Sequence, residues 1–330
     1  MDKKSSNKYY LKKIINSKYF NMTIYKIIII ILIFCLNYSN RKIINKREKA
    51  INSHKTKNPY YSKDLNGKLL FMRHGQTNFN NDKDTIARRT NINYVDCRLN
   101  SRGIIQAKTK QEILNHLCLE KVYVSPFYRA LQTLTYSLEN HPNKDKIIAV
   151  VHPFVSEITN CINDYILDIK QTKKDFNLNS TIKIDWSLFD EYIKNIKYDE
   201  NFYYFDNFDC FNENEKKNKY LELKNYYDNG EIEKLKNGLS ELATLRFNGP
   251  YRFESLKHAQ GRFKKFLKYI RKKHKNTLEN TEEKIFVFSH SSFMTVATNM
   301  TPYESETVQN FNYRCYSPKN CQILSYNIYS

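Results

Sequence analysis

Leu69-Leu70-Phe71-Met72-Arg73-His74-Gly75-Gln76-Thr77 is the stretch on which the reading of this chain turns. Its four consecutive apolar residues fit a short strand buried on both faces, as in the interior of a parallel sheet. The strand runs straight into Arg-His-Gly, so a guanidinium and an imidazole emerge side by side at its carboxyl end. That edge is where open α/β sheets gather their ligands. A histidine beside an arginine suits attack on a phosphoryl group whose charge the arginine holds. Such a pair needs partners, and they must come from other strand ends.

Working outward, Asn100-Ser101 precede a helical pattern carried by Ile104, Ile105, Ala107, Ile113, Leu114 and Leu117. Asn100 or Ser101 is the expected N-cap. Lys121 to Val124 reads as a second strand, closed by Ser125-Pro126 and followed by a helix from Tyr128 to Leu138. Ile147 to Val151 is a third strand, Phe263 to Ile270 an amphipathic helix, Ile285 to Phe288 a further strand and Ile323 to Ile328 the last. Strands alternating with helices predict a three-layer α/β fold with a mostly parallel central sheet flanked by helices. Between 160 and 250 the rhythm breaks. This stretch is rich in Asn, Asp, Lys, Tyr and Phe and holds the single tryptophan, Trp186. It is expected to be a long, mainly helical or irregular insertion, with helices near Ser187 to Ile196 and Leu235 to Leu245. Its aromatic residues are expected to form core more than pocket.

The partners are present. The second strand ends in Ser125-Pro126-Phe127-Tyr128-Arg129-Ala130, with Gln132-Thr133 behind it; after the third comes Phe154-Val155-Ser156-Glu157; the late strand ends in Ser289-His290-Ser291-Ser292. Four strand ends thus present two histidines, two arginines and one glutamate on one edge of a parallel sheet.

With these motifs the chain resembles the histidine phosphatase superfamily, branch 1, which includes cofactor-dependent phosphoglycerate mutase. The resemblance rests on Arg73-His74-Gly75-Gln76-Thr77-Asn78-Phe79-Asn80, on Ser125 to Thr133, on Leu99-Asn100-Ser101-Arg102-Gly103-Ile104-Ile105-Gln106-Ala107 and on His290, in family order. It covers about 68–157 and 250–330. It implies a phosphoglycerate mutase-like fold in which His74 attacks phosphorus and becomes phosphorylated. Arg73, Arg129 and His290 would surround the equatorial oxygens. Glu157 would protonate the leaving oxygen and then deprotonate water, with Asp164 and Glu254 as competitors for that role. Thr77, Asn80 and Ser291 would add phosphate contacts. No metal or other cofactor is implied. The expected reaction is phosphate monoester hydrolysis on a phosphorylated small molecule or phosphoprotein. Mutase-type phosphotransfer and a non-catalytic phosphate-binding or scaffold role are the alternatives. Two positions depart from the pattern: Ser291-Ser292 stand where glycines are common, and Phe253 replaces the glycine before Glu254-Ser255, where Glu254 is expected to cap a helix.

Charge and composition bound the rest. The chain of 330 residues has 54 Lys and Arg against 34 Asp and Glu. The excess is uneven: residues 1–63 hold 15 basic and 2 acidic residues, the remaining 267 hold 39 and 32. This argues against a basic face for nucleic acid on the folded part. Residues 1–63 read as an apolar segment plus a basic linker, and 64–330 as the catalytic-type domain. The run Ile27 to Leu36, within 22–39 and flanked by lysines and arginines, is half the length needed to cross a bilayer as a helix. It reads as a signal peptide or short signal anchor, which would send the protein to the secretory pathway, secreted or membrane-anchored; unused, it leaves the chain cytoplasmic. Without Cys35 six cysteines remain, an even number compatible with three bridges or with scattered free thiols.

Overall fold

The computed structural model describes residues 61–62, 67–84, 87–159, 161–248, 253–280, 282–298 and 318–326. Seven strands form one sheet among them: β1 (Tyr61–Ser62), β2 (Leu69–Arg73), β3 (Leu119–Val124), β4 (Ile148–Val151), β5 (Lys183–Asp185), β6 (Lys284–Ser289) and β7 (Ile323–Tyr326). Their spatial order is β1-β7-β2-β6-β3-β4-β5. The five from β2 to β5 run parallel, while β7 is antiparallel to both β2 and β1. The expected three-layer α/β fold is what the chain adopts.

Alternation along the strands builds the two faces. Leu70 and Met72 of β2 join Val122, Val124, Phe286 and Phe288 in one core, closed by the helix Tyr128–Leu138. Leu69 and Phe71 join Tyr123, Ile285, Val287 and Leu324 in the other, closed by the helix Leu256–Lys273 through Ala259, Phe263, Phe266 and Ile270. Each strand is therefore apolar on both sides, which is why the sequence shows continuous runs instead of period-two patterning.

Register sets the site. Arg73 pairs with Ser289, Val124 with Phe288 and Val151 with Val124. The central strands end nearly level, and His74, His290, Ser125 and His152 follow at one edge.

Two findings differ from the sequence reading. Tyr61–Ser62, inside the stretch read as linker, pairs with β7. Lys183–Asp185, inside the expected insertion, extends the sheet beside β4, and Ile169, Phe176, Trp186 and Phe189 pack into the main core. Only the later part of the insertion makes a core of its own. There the 3-10 segment Glu200–Asn207 and the helices Glu213–Asp228 and Ile232–Asn248 enclose Tyr165, Phe202, Tyr204, Phe205, Phe208 and Leu239. Its aromatics are packing, as expected. Of the two cysteine arrangements left open by the sequence, the free-thiol one is found at Cys97, Cys118, Cys161, Cys210 and Cys321, and the three-bridge one is not formed; Cys35 and Cys315 lie outside the described residues. The apolar run Ile27 to Leu36 also lies outside them. Among the described residues no helix is long and apolar enough to cross a membrane.

Candidate active site

The loop after β2 is held from behind. The Gly75 N–H donates to Thr133 Oγ1 (2.9 Å) and the Gln76 N–H to Gln106 Oε1 (2.9 Å), while the Gln76 carbonyl accepts from the Asn100 N–H (3.0 Å). Asn100 is the N-cap of the helix Ser101–Lys108, accepting from the Gly103 N–H at 2.8 Å. Gly75 and Gly103 meet backbone to backbone: a Cβ on Gly103 would lie 2.1 Å from the Gln76 carbonyl oxygen. Only glycine allows that approach. The separate sequence motifs are thus one clamp around the turn that carries His74.

His74 is almost fully buried, and its Nδ1 donates to the Gly75 carbonyl at 2.7 Å. A carbonyl only accepts, so Nδ1 holds the proton and the lone pair of the neutral ring is on Nε2. Burial, then the charges of Arg129 and Arg73, push the imidazole well below its ordinary range and keep it neutral. His290, fully buried, has its ring centroid 5.2 Å away; its Nε2 is 2.7 Å from Ser125 Oγ. Burial and Arg129 lower it in the same way.

Arg129 is fully buried on the helix after Ser125. It donates through Nη1 to the Asn163 carbonyl and through Nη2 to Asp164 Oδ1 (3.0 Å). Burial, the largest single influence, disfavours its charge, but Asp164 together with Cys97, Asp96 and Glu157 outweighs it and raises the guanidinium above its ordinary value. Arg73 donates through Nη1 to the Pro318 carbonyl (2.7 Å), and burial lowers it to about 10. Arg73 Nε, Arg129 Nε and His290 Nδ1 are buried without a hydrogen-bond partner. An unpaired buried donor costs about 1–3 kcal/mol. The two arginine Nε–H groups, and His290 Nδ1 in the tautomer that accepts from Ser125 at Nε2, lie on residues at or just after the ends of β2, β3 and β6, where an acceptor-rich anion would satisfy them.

Glu157 sits on the loop after β4. Its Oε1 accepts from the Ile158 N–H (2.9 Å) and the Phe293 N–H (2.7 Å), and Oε2 from the Ser292 N–H (3.2 Å). It therefore anchors the start of the helix Ser291–Thr298. A carboxylate offers about four lone-pair positions, so one on Oε2 is left for a proton. Its charge is felt at both Arg73 and Arg129.

The other expected residues fall as follows. Thr77 and Asn80 form a reciprocal capping box on the short helix Asn78–Asn81, with Asn320 Nδ2 3.4 Å from Asn80 Oδ1. Ser291 opens the helix after His290. Positive φ among the described non-glycine residues is confined to Asp96 and Cys321, so Ser291 and Ser292 make no demand for glycine. Asp164, a competitor for the acid role, is committed to Arg129. Glu254 is not the cap: Ser255 is, accepting from the His258 N–H (3.0 Å), and Glu254 is a fully buried ion-pair partner of Arg262. Sequence reasoning missed Arg262. Its signal was there: Arg262 shares the buried phase of its helix with Ala259, Phe263, Phe266 and Ile270, and a charge in that phase asks for a partner.

Residues 69–158 match the family model described as the histidine phosphatase superfamily (branch 1). No curated protein matches the chain. Among solved structures it is similar to a mycobacterial glucosyl-3-phosphoglycerate phosphatase complexed with VO3, at 12% identity over 78% of this chain and 89% of that one with a TM-score of 0.39. It is also similar to a phosphoserine phosphatase from Entamoeba histolytica in complex with 3-phosphoglyceric acid, at 16% identity over 77% and 87% with a TM-score of 0.34.

Proposed function

We propose, from the premise that residues 69–158 belong to the histidine phosphatase superfamily (branch 1), that this chain is a phosphomonoester hydrolase working through a phosphohistidine. The observation that carries the reading is the Nδ1–H of His74 bound to the Gly75 carbonyl at 2.7 Å. It fixes the one tautomer whose Nε2 can attack, in a ring that burial keeps neutral.

In the first step His74 Nε2 bonds to phosphorus, the bond from phosphorus to the ester oxygen breaks, and Glu157 gives its proton to the departing oxygen. In the second, water attacks phosphorus, its proton passes to Glu157, and the P–N bond breaks to release inorganic phosphate and neutral His74. Arg73, Arg129 and His290 supply the donors for the three equatorial oxygens in both steps. Burial at the strand edge strengthens each of these contacts. The site selects a phosphoryl group on a small molecule or protein; the group that bears it meets other surfaces.

A panel of aryl and alkyl phosphate esters, with His74→Ala beside the wild type, tests this. Turnover without added bisphosphoglycerate, absent in His74→Ala, is expected, together with an acid-labile, base-stable phosphoprotein on rapid quenching. Equal turnover by His74→Ala would end the reading. Delivery through the secretory pathway by residues 22–39 is part of the proposal. It is checked by N-terminal sequencing of the mature protein, which should start after Cys35 if the segment is removed.

A further inference from the structure

Beyond the groups assigned to phosphoryl transfer lies a buried pair with no part in it so far. We propose that Arg262 and Glu254 are positioning residues that hold Glu157 in register for proton transfer. The proposal rests on the reading of Glu157 as proton donor and acceptor.

Arg262 is almost fully buried and Glu254 entirely so. They meet in a two-pronged contact, Arg262 Nε to Glu254 Oε1 at 2.7 Å and Nη2 to Oε2 at 3.0 Å. The rest of the guanidinium is spent on one target, the main chain that carries Glu157. Nη1 donates to the carbonyls of Phe154 (3.0 Å) and Ser156 (3.2 Å), and Nη2 reaches the carbonyl of Glu157 itself at 3.5 Å. Glu254 Oε2 accepts from the Thr159 N–H at 3.4 Å. The ion pair therefore grips the loop on both sides of Glu157. It is linked to the far end of the side chain through Phe293, whose ring lies under Arg262 at 5.1 Å and whose N–H donates to Glu157 Oε1. Backbone and carboxylate of Glu157 are thus indexed to one guanidinium.

A loop of irregular structure has no ladder to place it. Fixing three carbonyls at once requires several donors in a rigid plane, which arginine has and lysine lacks. As a source of stability the pair is a poor choice, since a buried ion pair does no better than apolar packing of the same volume. As a jig it has a clear use: a proton donor misplaced by about 1 Å loses on the order of 10²-fold in rate.

The test exploits leaving groups. An aryl ester such as p-nitrophenyl phosphate departs without help, whereas an alkyl ester such as glycerol phosphate needs the proton. Arg262→Lys and Glu254→Gln are each assayed on both esters, with Glu157→Gln as reference and thermal unfolding measured alongside. Expected for both variants is a loss of about 10- to 100-fold in kcat/KM on the alkyl ester and under about 3-fold on the aryl ester. Combined with Glu157→Gln, neither should add a further loss on the alkyl ester. Equal loss on both esters, loss persisting in the Glu157→Gln background, or unchanged kinetics would each overturn the positioning role. If Glu157→Gln itself shows no preference between the esters, the proton-donor reading is what fails, and the positioning role falls with it.

Discussion

His74 and His290 sit at the ends of the neighbouring parallel strands β2 and β6, their ring centroids 5.2 Å apart and their planes tilted by 55°. Two imidazolium ions at that spacing, beside the buried Arg129 and the partly buried Arg73, would repel strongly. The arrangement is tolerable because both rings are neutral, each with one nitrogen engaged: His74 by its own loop carbonyl, His290 by Ser125. The positive charge of the site is thereby left to the guanidiniums, and the imidazoles supply a lone pair and a donor.

Both rings should therefore stay neutral well below pH 6.5. For a histidine whose folded pKa is depressed, the favourable contribution is fully present above the unfolded pKa near 6.5 and is lost as pH falls through that value towards the folded one. Carbon-detected NMR of labelled histidine should show two imidazoles still neutral at pH 5.5. Thermal stability should begin to fall below about pH 6.5. Two rings titrating at the ordinary value would contradict the closed geometry.

Gly103→Ala tests the clamp behind His74. Alanine normally strengthens a helix, here Ser101–Lys108. At this position its Cβ would lie 2.1 Å from the Gln76 carbonyl oxygen and 2.8 Å from the Gln76 nitrogen, both backbone atoms that cannot swing aside. The turn carrying His74 must move instead. A stability loss of about 1–3 kcal/mol is expected, with a fall of on the order of 10²-fold in kcat/KM. Urea unfolding and aryl phosphate turnover read the two effects.

The strand ends, and the meeting of Arg73, His74, Ser125 and His290 at one sheet edge, were legible because continuous apolar runs stop abruptly at Arg73, Ser125 and Ser289, and a chain of parallel strands has one edge to deliver them to. Asn100 was legible as a cap by residue type. What escaped was short or tertiary. Tyr61–Ser62 and Lys183–Asp185 are two- and three-residue strands, too brief for any period to emerge, and they exist because a neighbouring strand offers its edge. The hydroxyl of Thr77, expected at the phosphate, joins a local cap with Asn80 that the sequence reading did not include. The commitment of Asp164 to Arg129 joins residues 35 apart in sequence, and no local pattern announces it. Arg262 was hidden among the lysines of its helix, whose exposed face is strongly basic.

Asp96 adds a second pH effect of opposite sign. It has φ 37° and accepts from the Tyr128 N–H at 3.0 Å. Burial raises its carboxyl to about 7, with Arg129 opposing. A carboxyl raised above its unfolded value of 3.8 favours folding while neutral; that stability is present below pH 4 and is lost as pH rises through 7. Asp96→Asn keeps the acceptor and tolerates the positive φ. The variant should match wild type near pH 4 and exceed it by roughly 2–4 kcal/mol at pH 8. Denaturant unfolding at the two pH values decides. An equal difference at both would show that Asp96 does not titrate between them.

Asp164 and Arg129 form an ion pair with side chains only 4% and 1% exposed. Removing one partner from such a pair strands the other charge and costs about 3–5 kcal/mol. Asp164→Ala should therefore unfold early, and its loss of activity would say little. Asp164→Asn is the informative change. It retains an oxygen for Arg129 Nη2, but its amide replaces the oxygen that accepts from the Cys161 N–H at 3.0 Å. Those facing donors should cost about 1–3 kcal/mol. Kinetically the sign reverses. The carboxylate of Asp164 shares Arg129 with the incoming dianion, so a neutral amide leaves more of the guanidinium's field for phosphate. Inorganic phosphate should inhibit Asp164→Asn on the order of tenfold more tightly than wild type. Product release should slow accordingly, lowering kcat more than kcat/KM. Competitive inhibition by phosphate in the two proteins measures this directly. Weaker inhibition in Asp164→Asn would mean that Asp164 serves only to aim Arg129 and exerts no net charge on the bound anion.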